Sequence, residues 1–191
     1  RTCLVGSEMC IRDSPAALAA ASPVSLPAGL SDDLPALLCY TSGTTGRPKG
    51  AVITHRNLGG AVRALHEAWQ WRSDDVLLHA LPLFHIHGLV VAQHGALYAG
   101  AATRWVAKFD AEDALAQMQG CSVFMGVPTF YHRFLSLPQT VTADLSGMRL
   151  VTSGSAPLPA QAHAAFTARF GARILERYGM TEAGICLLYT S

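Results

Sequence analysis

Short apolar segments alternate with segments of helical periodicity along most of this chain, and this alternation constrains its fold more than any other feature. Strand-like runs are expected at residues 76–81, 103–107, 121–127, 148–152 and 173–177. Helices are expected between them, at residues 88–98, 110–119, 128–137 and 159–170. Strands and helices in strict alternation predict an α/β fold, mainly a parallel sheet with helices on both faces. Ligands of such sheets bind beyond the carboxyl ends of the strands.

A loop rich in glycine and hydroxyl side chains precedes this pattern, between strand-like runs at residues 36–40 and 51–54. The segment Thr41–Gly50 holds three glycines, four hydroxyl residues and one lysine. Glycine allows close backbone approach to a ligand, hydroxyls donate to phosphate oxygens, and lysine adds a positive charge. A Walker loop is excluded because Pro48, not glycine, precedes Lys49. A polyphosphate loop of another type is favoured over a merely flexible one.

Two further polar segments follow predicted strands much later in the chain. One is Thr-Ser-Gly-Ser-Ala-Pro-Leu at residues 152–158, and the other is Arg-Tyr-Gly-Met-Thr-Glu at residues 177–182. Each of the three polar segments is predicted to begin where a strand ends. Since the carboxyl ends of parallel strands share one edge of a sheet, we expect the segments to meet there.

The three segments, in this order, resemble the signatures of the adenylate-forming superfamily, which holds acyl-CoA synthetases, luciferases and peptide-synthetase adenylation domains. The resemblance covers about residues 33–184 and implies a fragment of the large N-terminal domain of such an enzyme. It implies ATP and Mg²⁺ as cofactors and coenzyme A as co-substrate. In the implied reaction a carboxylate attacks the α-phosphate of ATP, pyrophosphate leaves, and the acyl group passes to the thiol.

The resemblance also implies roles for individual residues. The β- and γ-phosphates would be held by Thr41, Ser42, Gly43, Thr44, Thr45, Gly46 and Lys49. The nucleotide would further be bound by Gly154, Ser155, Ala156, Tyr178, Gly179, Met180 and Thr181, with Tyr178 stacking on adenine. Thr181 would contact the α-phosphate and Glu182 would bind Mg²⁺, since a hard cation prefers oxygen ligands. Together with His85, these two residues form the implied catalytic set.

The acid-binding side rests on two other segments. The segment at residues 81–89 resembles the family stretch whose histidine lines the acyl path, and His85 holds that position. His87 is interpreted as a polar residue at a helix start. The segment at residues 126–133 resembles the acyl-pocket helix, where Arg133 could bind the second carboxylate of a dicarboxylic acid. This likens the chain to malonyl-CoA synthetases; the alternative is an arginine on the helix surface.

These residues predict an ATP-dependent acid–thiol ligase that acts on a malonate-like acid. A fatty or aryl acyl-CoA ligase is the alternative enzyme, and a nucleotide-binding remnant without turnover is the alternative outside enzymes. A peptide-synthetase adenylation domain is less favoured, because nothing resembles its amino-acid-anchoring aspartate.

Composition excludes several other classes. The net charge of +1 over 191 residues offers no electrostatic basis for binding nucleic acid or a membrane surface. No apolar run approaches the roughly 18 residues of a spanning helix, and the start of the chain lacks the pattern of a secretory signal. We therefore expect a cytoplasmic location, or an organelle matrix in a eukaryote. The five cysteines form no metal-binding spacing, and a metal role for the pair His85 and His87 is not favoured. Oligomeric state is left open.

The two ends of the chain differ from the rest. Residues 1–14 and 186–191 resemble none of the superfamily's signatures and are interpreted as non-native adapter scars. Residues 15–32 form an Ala/Ser/Pro-rich linker or loop, and residues 33–185 a partial adenylation domain. The superfamily's smaller C-terminal domain, with its adenylation lysine, has no counterpart here. This piece alone is therefore expected to be inactive.

Overall fold

The structure is a computed structural model that describes residues 29–41, 48–183 and 185–190, the last range by its backbone only. The elements below belong to one compact unit, residues Asp32–Ser191. The predicted scar at residues 1–14 lies outside the described residues. So do most of the predicted linker and Ser42, Gly43, Thr44, Thr45 and Gly46 of the predicted phosphate loop.

The two strands around this loop form a hairpin. Strand β1 (Pro35–Thr41) pairs antiparallel with β2 (Lys49–Thr54), so that Thr41 lies opposite Lys49. The strands were predicted, but they form a two-stranded sheet of their own. The loop between them therefore does not follow a strand of the parallel sheet, because its first strand pairs only with the strand that comes after the loop.

The remaining strands form one sheet of six. In chain order these are β3 (Val76–His79), β4 (Ala102–Trp105), β5 (Val123–Gly126), β6 (Leu150–Ser153), β7 (Leu175–Met180) and β8 (Ile185–Thr190). Their order across the sheet is β4-β3-β5-β6-β7-β8. The first five are parallel and β8 is antiparallel to β7. The prediction of an α/β fold with a mainly parallel sheet is confirmed.

Helices lie on both faces of this sheet. They are α1 (His55–Trp69), a π-helical segment (His87–His94) that continues into α2 (Gly95–Ala99), α3 (Ala111–Met118), α4 (Pro128–Leu135) and α5 (Ala160–Phe170). Successive strand residues alternate between two cores: Leu77 and Val123 pack with α1, the π-helical segment and α2, whereas Leu78 and Phe124 pack with α3, α4 and α5. This alternation follows from the period of two along a strand. None of the helices in the described part of the chain has the length and apolar character that a bilayer crossing requires.

Local hydrogen bonds explain where two of the helices begin. Thr54 closes a capping box at the start of α1: its hydroxyl accepts from the Asn57 amide N–H, and the Asn57 side chain accepts from the Thr54 amide. At α3 the Asp110 carboxylate accepts from the amides of Glu112 and Asp113. Each cap satisfies amide groups that have no partner within the first turn of a helix.

The π-helical segment was expected to be an ordinary buried helix. Two of its carbonyls accept side-chain hydrogen bonds, Gly88 O from His79 Nε2 at 2.9 Å and Leu89 O from His94 Nδ1 at 2.7 Å. Side chains that bond to helix carbonyls disturb the regular backbone ladder, and π-helical turns are frequent at functional sites. Gly88 is also required sterically, because a Cβ there would lie 2.3 Å from Pro82 O.

The end of the chain differs from the sequence prediction in two ways. Strand β7 continues to Met180, so the segment at residues 177–182 lies mostly within a strand and not after it. Residues 186–191 were expected outside the fold, whereas the backbone of β8, which ends at Thr190, pairs with β7. Whether residues 186–191 are an adapter scar remains a prediction, since backbone pairing depends little on the origin of the side chains.

The amino ends of the strands are joined by a buried ionic network. Asp75 lies just before β3 and is 3% exposed. Its carboxylate accepts from the Arg149 guanidinium, from the Ser122 hydroxyl at 2.7 Å and from the Arg72 amide at 2.9 Å. Arg149 also donates to Trp69 O at 2.7 Å. The network ties the starts of β3, β5 and β6 to the end of α1, at the edge of the sheet opposite the cavities described next.

Candidate functional site

Two adjoining cavities lie at the carboxyl edge of the parallel strands. The first, here the turn cavity, has a volume of about 350 Å³ and is lined by Ser155, Ala156, Pro157, Glu176, Arg177, Tyr178 and Gly179. The second, here the edge cavity, measures about 480 Å³ and is lined by Leu81, Pro82, His85, Ile86, His87, Gly88, Val127, Phe130, Ser155, Arg177, Gly179, Met180 and Thr181. Ser155, Arg177 and Gly179 line both. The two later polar segments therefore meet the histidine segment at this edge, whereas Thr41 and Lys49 of the first polar segment line neither cavity.

The turn after β6 forms one wall of this site. Ser155 has a φ of 72°, a left-handed conformation that is unfavourable for a residue with a side chain. Gly154 is buried, and a Cβ there would lie 2.7 Å from Arg177 Nε. The predicted role of Gly154 was contact with adenine. Its position shows a steric reason for glycine, since any side chain would displace the guanidinium of Arg177.

Arg177 and His87 bring charge and a titratable group into the shared wall. Arg177 is 6% exposed and His87 is 4% exposed. The His87 Nδ1 atom lies 3.2 Å from the Ser155 hydroxyl oxygen. Burial, the nearby charge of Arg177 and the proximity of His79 hold the pKa of His87 well below its ordinary value. His87 is therefore a neutral imidazole beside a buried guanidinium.

The residues predicted for the acid-binding side lie in different places. His85 is exposed and lines the edge cavity. Arg133 lies on the exposed face of α4 and is not part of the cavity wall; its Cζ is 6.0 Å from the centre of the Phe109 ring. Phe109 stacks on Phe130 at 3.7 Å, and Phe130 does line the cavity. Arg133 is thus separated from the edge cavity by two stacked rings.

The predicted site residues Tyr178, Thr181 and Glu182 lie in β7 or directly after it. Tyr178 is 60% exposed in the turn cavity, as an aromatic ring available for stacking must be. Thr181 lines the edge cavity, and Glu182 follows it in a short 3₁₀ turn (Thr181–Ala183) as an exposed carboxylate. Glu176 supports the opposite wall, because its carboxylate accepts from the Leu158 amide at 2.8 Å. Thr41 and Lys49 lie at the hairpin and line neither cavity.

The described residues contain no preformed metal centre. No three His, Cys, Asp or Glu side chains among them come together in a way that could hold a metal ion. Glu182 offers a single exposed carboxylate, which suits a magnesium ion that keeps most of its ligands from water and phosphate. The arrangement fits an ion that arrives with a nucleotide better than a resident one.

Sequence reasoning missed Arg177 and His87 as site residues. Arg177 stands directly before the Tyr-Gly-Met-Thr-Glu signature, at a strand position where its neighbour Tyr178 is exposed. The alternation of a strand therefore turns Arg177 inward, and an inward arginine next to a nucleotide signature was a usable signal. For His87 no such signal existed, because the contact with Ser155 spans 68 positions in the chain.

The fold and the site define the class. The chain belongs to the AMP-binding enzyme family, whose pattern matches residues 5–191, and the predicted membership of the adenylate-forming superfamily is confirmed. Within it, the chain is similar to mouse mitochondrial malonate–CoA ligase ACSF3, with 40% identity over 171 residues. That alignment covers 81% of this chain and 29% of the mouse protein, so the chain spans less than a third of its relative.

Two solved structures are also similar to this chain. The structure is similar to apo MatB from Rhodopseudomonas palustris, with a TM-score of 0.83 and 41% identity over 92% of this chain and 35% of that one. It is also similar to a malonyl-CoA ligase in a ternary product complex with methylmalonyl-CoA and AMP, with a TM-score of 0.81 and 44% identity over 88% of this chain and 37% of that one.

Proposed function

We propose that this chain is part of an AMP-forming acid–thiol ligase that activates a malonate-like dicarboxylate and transfers its acyl group to coenzyme A. One observation carries the proposal: two adjoining cavities share Ser155, Arg177 and Gly179, so that a nucleotide and an acid could be held side by side. Joining a carboxylate to a phosphate brings like charges together, and close positioning of both is the main contribution a protein can make.

The turn cavity suits the nucleotide. Tyr178 supplies an exposed ring for stacking on adenine, and the turn at Ser155 and Ala156 supplies backbone groups beside it. Thr181 lines the neighbouring edge cavity, and its hydroxyl could donate to the α-phosphate. Glu182 would hold Mg²⁺, which neutralises phosphate charge and polarises the phosphoryl oxygen when bound.

The edge cavity suits the acid. Its walls are largely apolar, with His85, His87, Ser155, Arg177 and Thr181 as the polar exceptions. A buried guanidinium in the wall favours an anionic group of the substrate, because its charge is weakly screened there. We retain Arg133 as a second anion-binding residue that would reach the cavity past Phe130 by a change of rotamer.

Activity of the full-length gene product tests this function. We expect ATP–pyrophosphate exchange that depends on malonate or methylmalonate, followed by formation of the acyl-CoA and AMP. Exchange with a fatty acid or with benzoate, and none with malonate, would identify a monocarboxylate ligase instead. ATP binding without exchange for any of these acids would identify a nucleotide-binding protein without turnover.

The phosphate loop can be tested in the same enzyme. We expect Lys49→Ala to raise the KM for ATP by about 10- to 100-fold, because a charged contact to phosphate contributes about 1.5–3 kcal/mol. Thr44→Val should raise it by about 3- to 10-fold, since one neutral hydrogen bond is lost. Lys108→Ala, at the other lysine of the chain, is the matched control. Unchanged ATP kinetics in both loop variants would remove the loop from the nucleotide site.

The predicted role of Arg133 has its own test. We expect Arg133→Leu to lower kcat/KM for malonate by about 10- to 100-fold, with a smaller effect on butyrate, because a charge-assisted contact to the distal carboxylate is lost. His132→Leu, at the exposed neighbour on the same helix, is the control. If the variant keeps its full preference for malonate over butyrate, Arg133 is a surface residue of the helix with no role in substrate binding. That result would not affect the proposed adenylation reaction.

A further inference from the structure

The contact between His87 and Ser155 is the one described side-chain hydrogen bond that links the histidine segment to the turn after β6. His87 begins the π-helical segment, and Ser155 belongs to the turn that lines the turn cavity. His87 itself lines only the edge cavity, whereas Ser155 lines both. A change at His87 can therefore reach the turn cavity through Ser155.

Ser155 needs such support. A non-glycine residue in the left-handed region costs roughly 1 kcal/mol or more and persists only where the surrounding structure holds it. The residue is exposed, so packing does not hold it. The hydrogen bond to His87 is a specific restraint on this turn, and the conformation of the turn decides where Ser155 and Ala156 present their backbone to a ligand.

His87 is well placed to act as the fixed partner. Its ring is almost fully buried. The next residue, Gly88, packs closely against Pro82, and its carbonyl accepts a hydrogen bond from His79. The low pKa of His87 keeps the ring neutral next to Arg177 and so avoids two adjacent buried charges. A rigid helix start thus presents Nδ1 to a strained turn.

We propose that His87 is a positioning residue that holds the nucleotide-binding turn through Ser155 and thereby couples the acid cavity to the nucleotide cavity. This inference rests on the proposed function. Its specific content is that Nδ1 of His87, and not Nε2, carries the effect. The effect falls first on the nucleotide, although His87 lies in the wall of the acid cavity.

A pair of variants of His87 separates the two ring nitrogens in the full-length enzyme. The amide of asparagine can occupy the position of Nδ1, whereas that of glutamine reaches the position of Nε2. We expect His87→Leu and His87→Gln to raise both the KM for ATP and the Kd of the non-hydrolysable analogue α,β-methylene-ATP by about 3- to 10-fold, the effect of one hydrogen bond. His87→Asn should stay within about 2-fold of wild type. The KM for malonate should change less than that for ATP.

Ser155→Ala completes a double-mutant cycle. It should raise the Kd of α,β-methylene-ATP as much as His87→Leu does. The Kd of the double variant should be no higher than that of either single variant, because the two substitutions remove the same hydrogen bond. His132→Leu is the control, since His132 is exposed on α4 and lines neither cavity. If the leucine variant does not fold, the Asn and Gln variants with Ser155→Ala decide the question.

Three outcomes would overturn the inference. They are rescue by glutamine but not asparagine, additive effects in the double variant, and an effect confined to the KM for malonate. Calorimetric binding of α,β-methylene-ATP requires no acid, so it judges this inference even if malonate proves to be the wrong substrate. Conversely, a malonate-active enzyme whose nucleotide affinity is unaffected by His87→Leu would leave the proposed function in place and remove this role.

Discussion

Replacing Arg177 by leucine in the full-length enzyme is expected to lower kcat/KM for malonate by about 30-fold to several thousand-fold. Losing one member of a buried charge pair costs about 2–5 kcal/mol, and 1.36 kcal/mol corresponds to a factor of ten. The loss should be far larger than that of Arg133→Leu, because Arg177 is buried in the cavity wall whereas Arg133 is exposed to solvent. Steady-state kinetics with malonate and butyrate measure the difference.

Arg177→Lys is the matched control for this variant. Lysine keeps the positive charge but loses the planar fork, so we expect an intermediate loss with malonate. Butyrate turnover by Arg177→Leu should change much less, since butyrate has no distal carboxylate. If malonate and butyrate lose equally while the melting temperature is unchanged, Arg177 acts on the nucleotide or on the reacting carboxylate, and the dicarboxylate proposal loses its main support.

Asp75→Ala is expected to lower the melting temperature of the domain by about 5–10 °C. Removing one partner of a buried ion pair costs about 3–5 kcal/mol, and we take the lower end because the Arg149 side chain is 20% exposed. Arg149→Met should have a similar effect, and the double variant should be less than additive. Asp74→Ala, at the exposed neighbour, is the control and should change little. Scanning calorimetry of the full-length protein gives these values.

The same network predicts how stability depends on pH. Burial alone would raise the pKa of Asp75, but the hydrogen bonds from Arg149, Ser122 and the Arg72 amide, together with the charge of Arg149, lower it below its ordinary value. A carboxyl group with a lowered folded-state pKa contributes stability above its unfolded pKa, about 3.9, and loses it as pH falls through the folded value. Between pH 5 and about pH 3, the melting temperature of Asp75→Ala should therefore fall less than that of the wild-type protein. An equal loss in both proteins would place the acid sensitivity elsewhere.

Secondary structure and fold class were predictable because they depend on local periodicity. The alternation of strands and helices follows from apolar spacing, and residues such as Leu77 and Leu78 alternate between the two cores as that spacing requires. Helix starts were predictable where a capping residue stands in the sequence, as at Asp110. The π-helical segment was not, because it depends on hydrogen bonds from His79 and from the His94 side chain to neighbouring carbonyls.

The sequence by itself determined the family and the strand–helix order, since short motifs and periodic patterns are local properties of a chain. Only the tertiary structure decided which side chains face the cavities. It left Arg133 outside behind Phe130 and brought His87 to Ser155. The physical reason is that burial and side-chain contact depend on how distant strands and helices pack, and no periodicity along one segment records what another segment places against it.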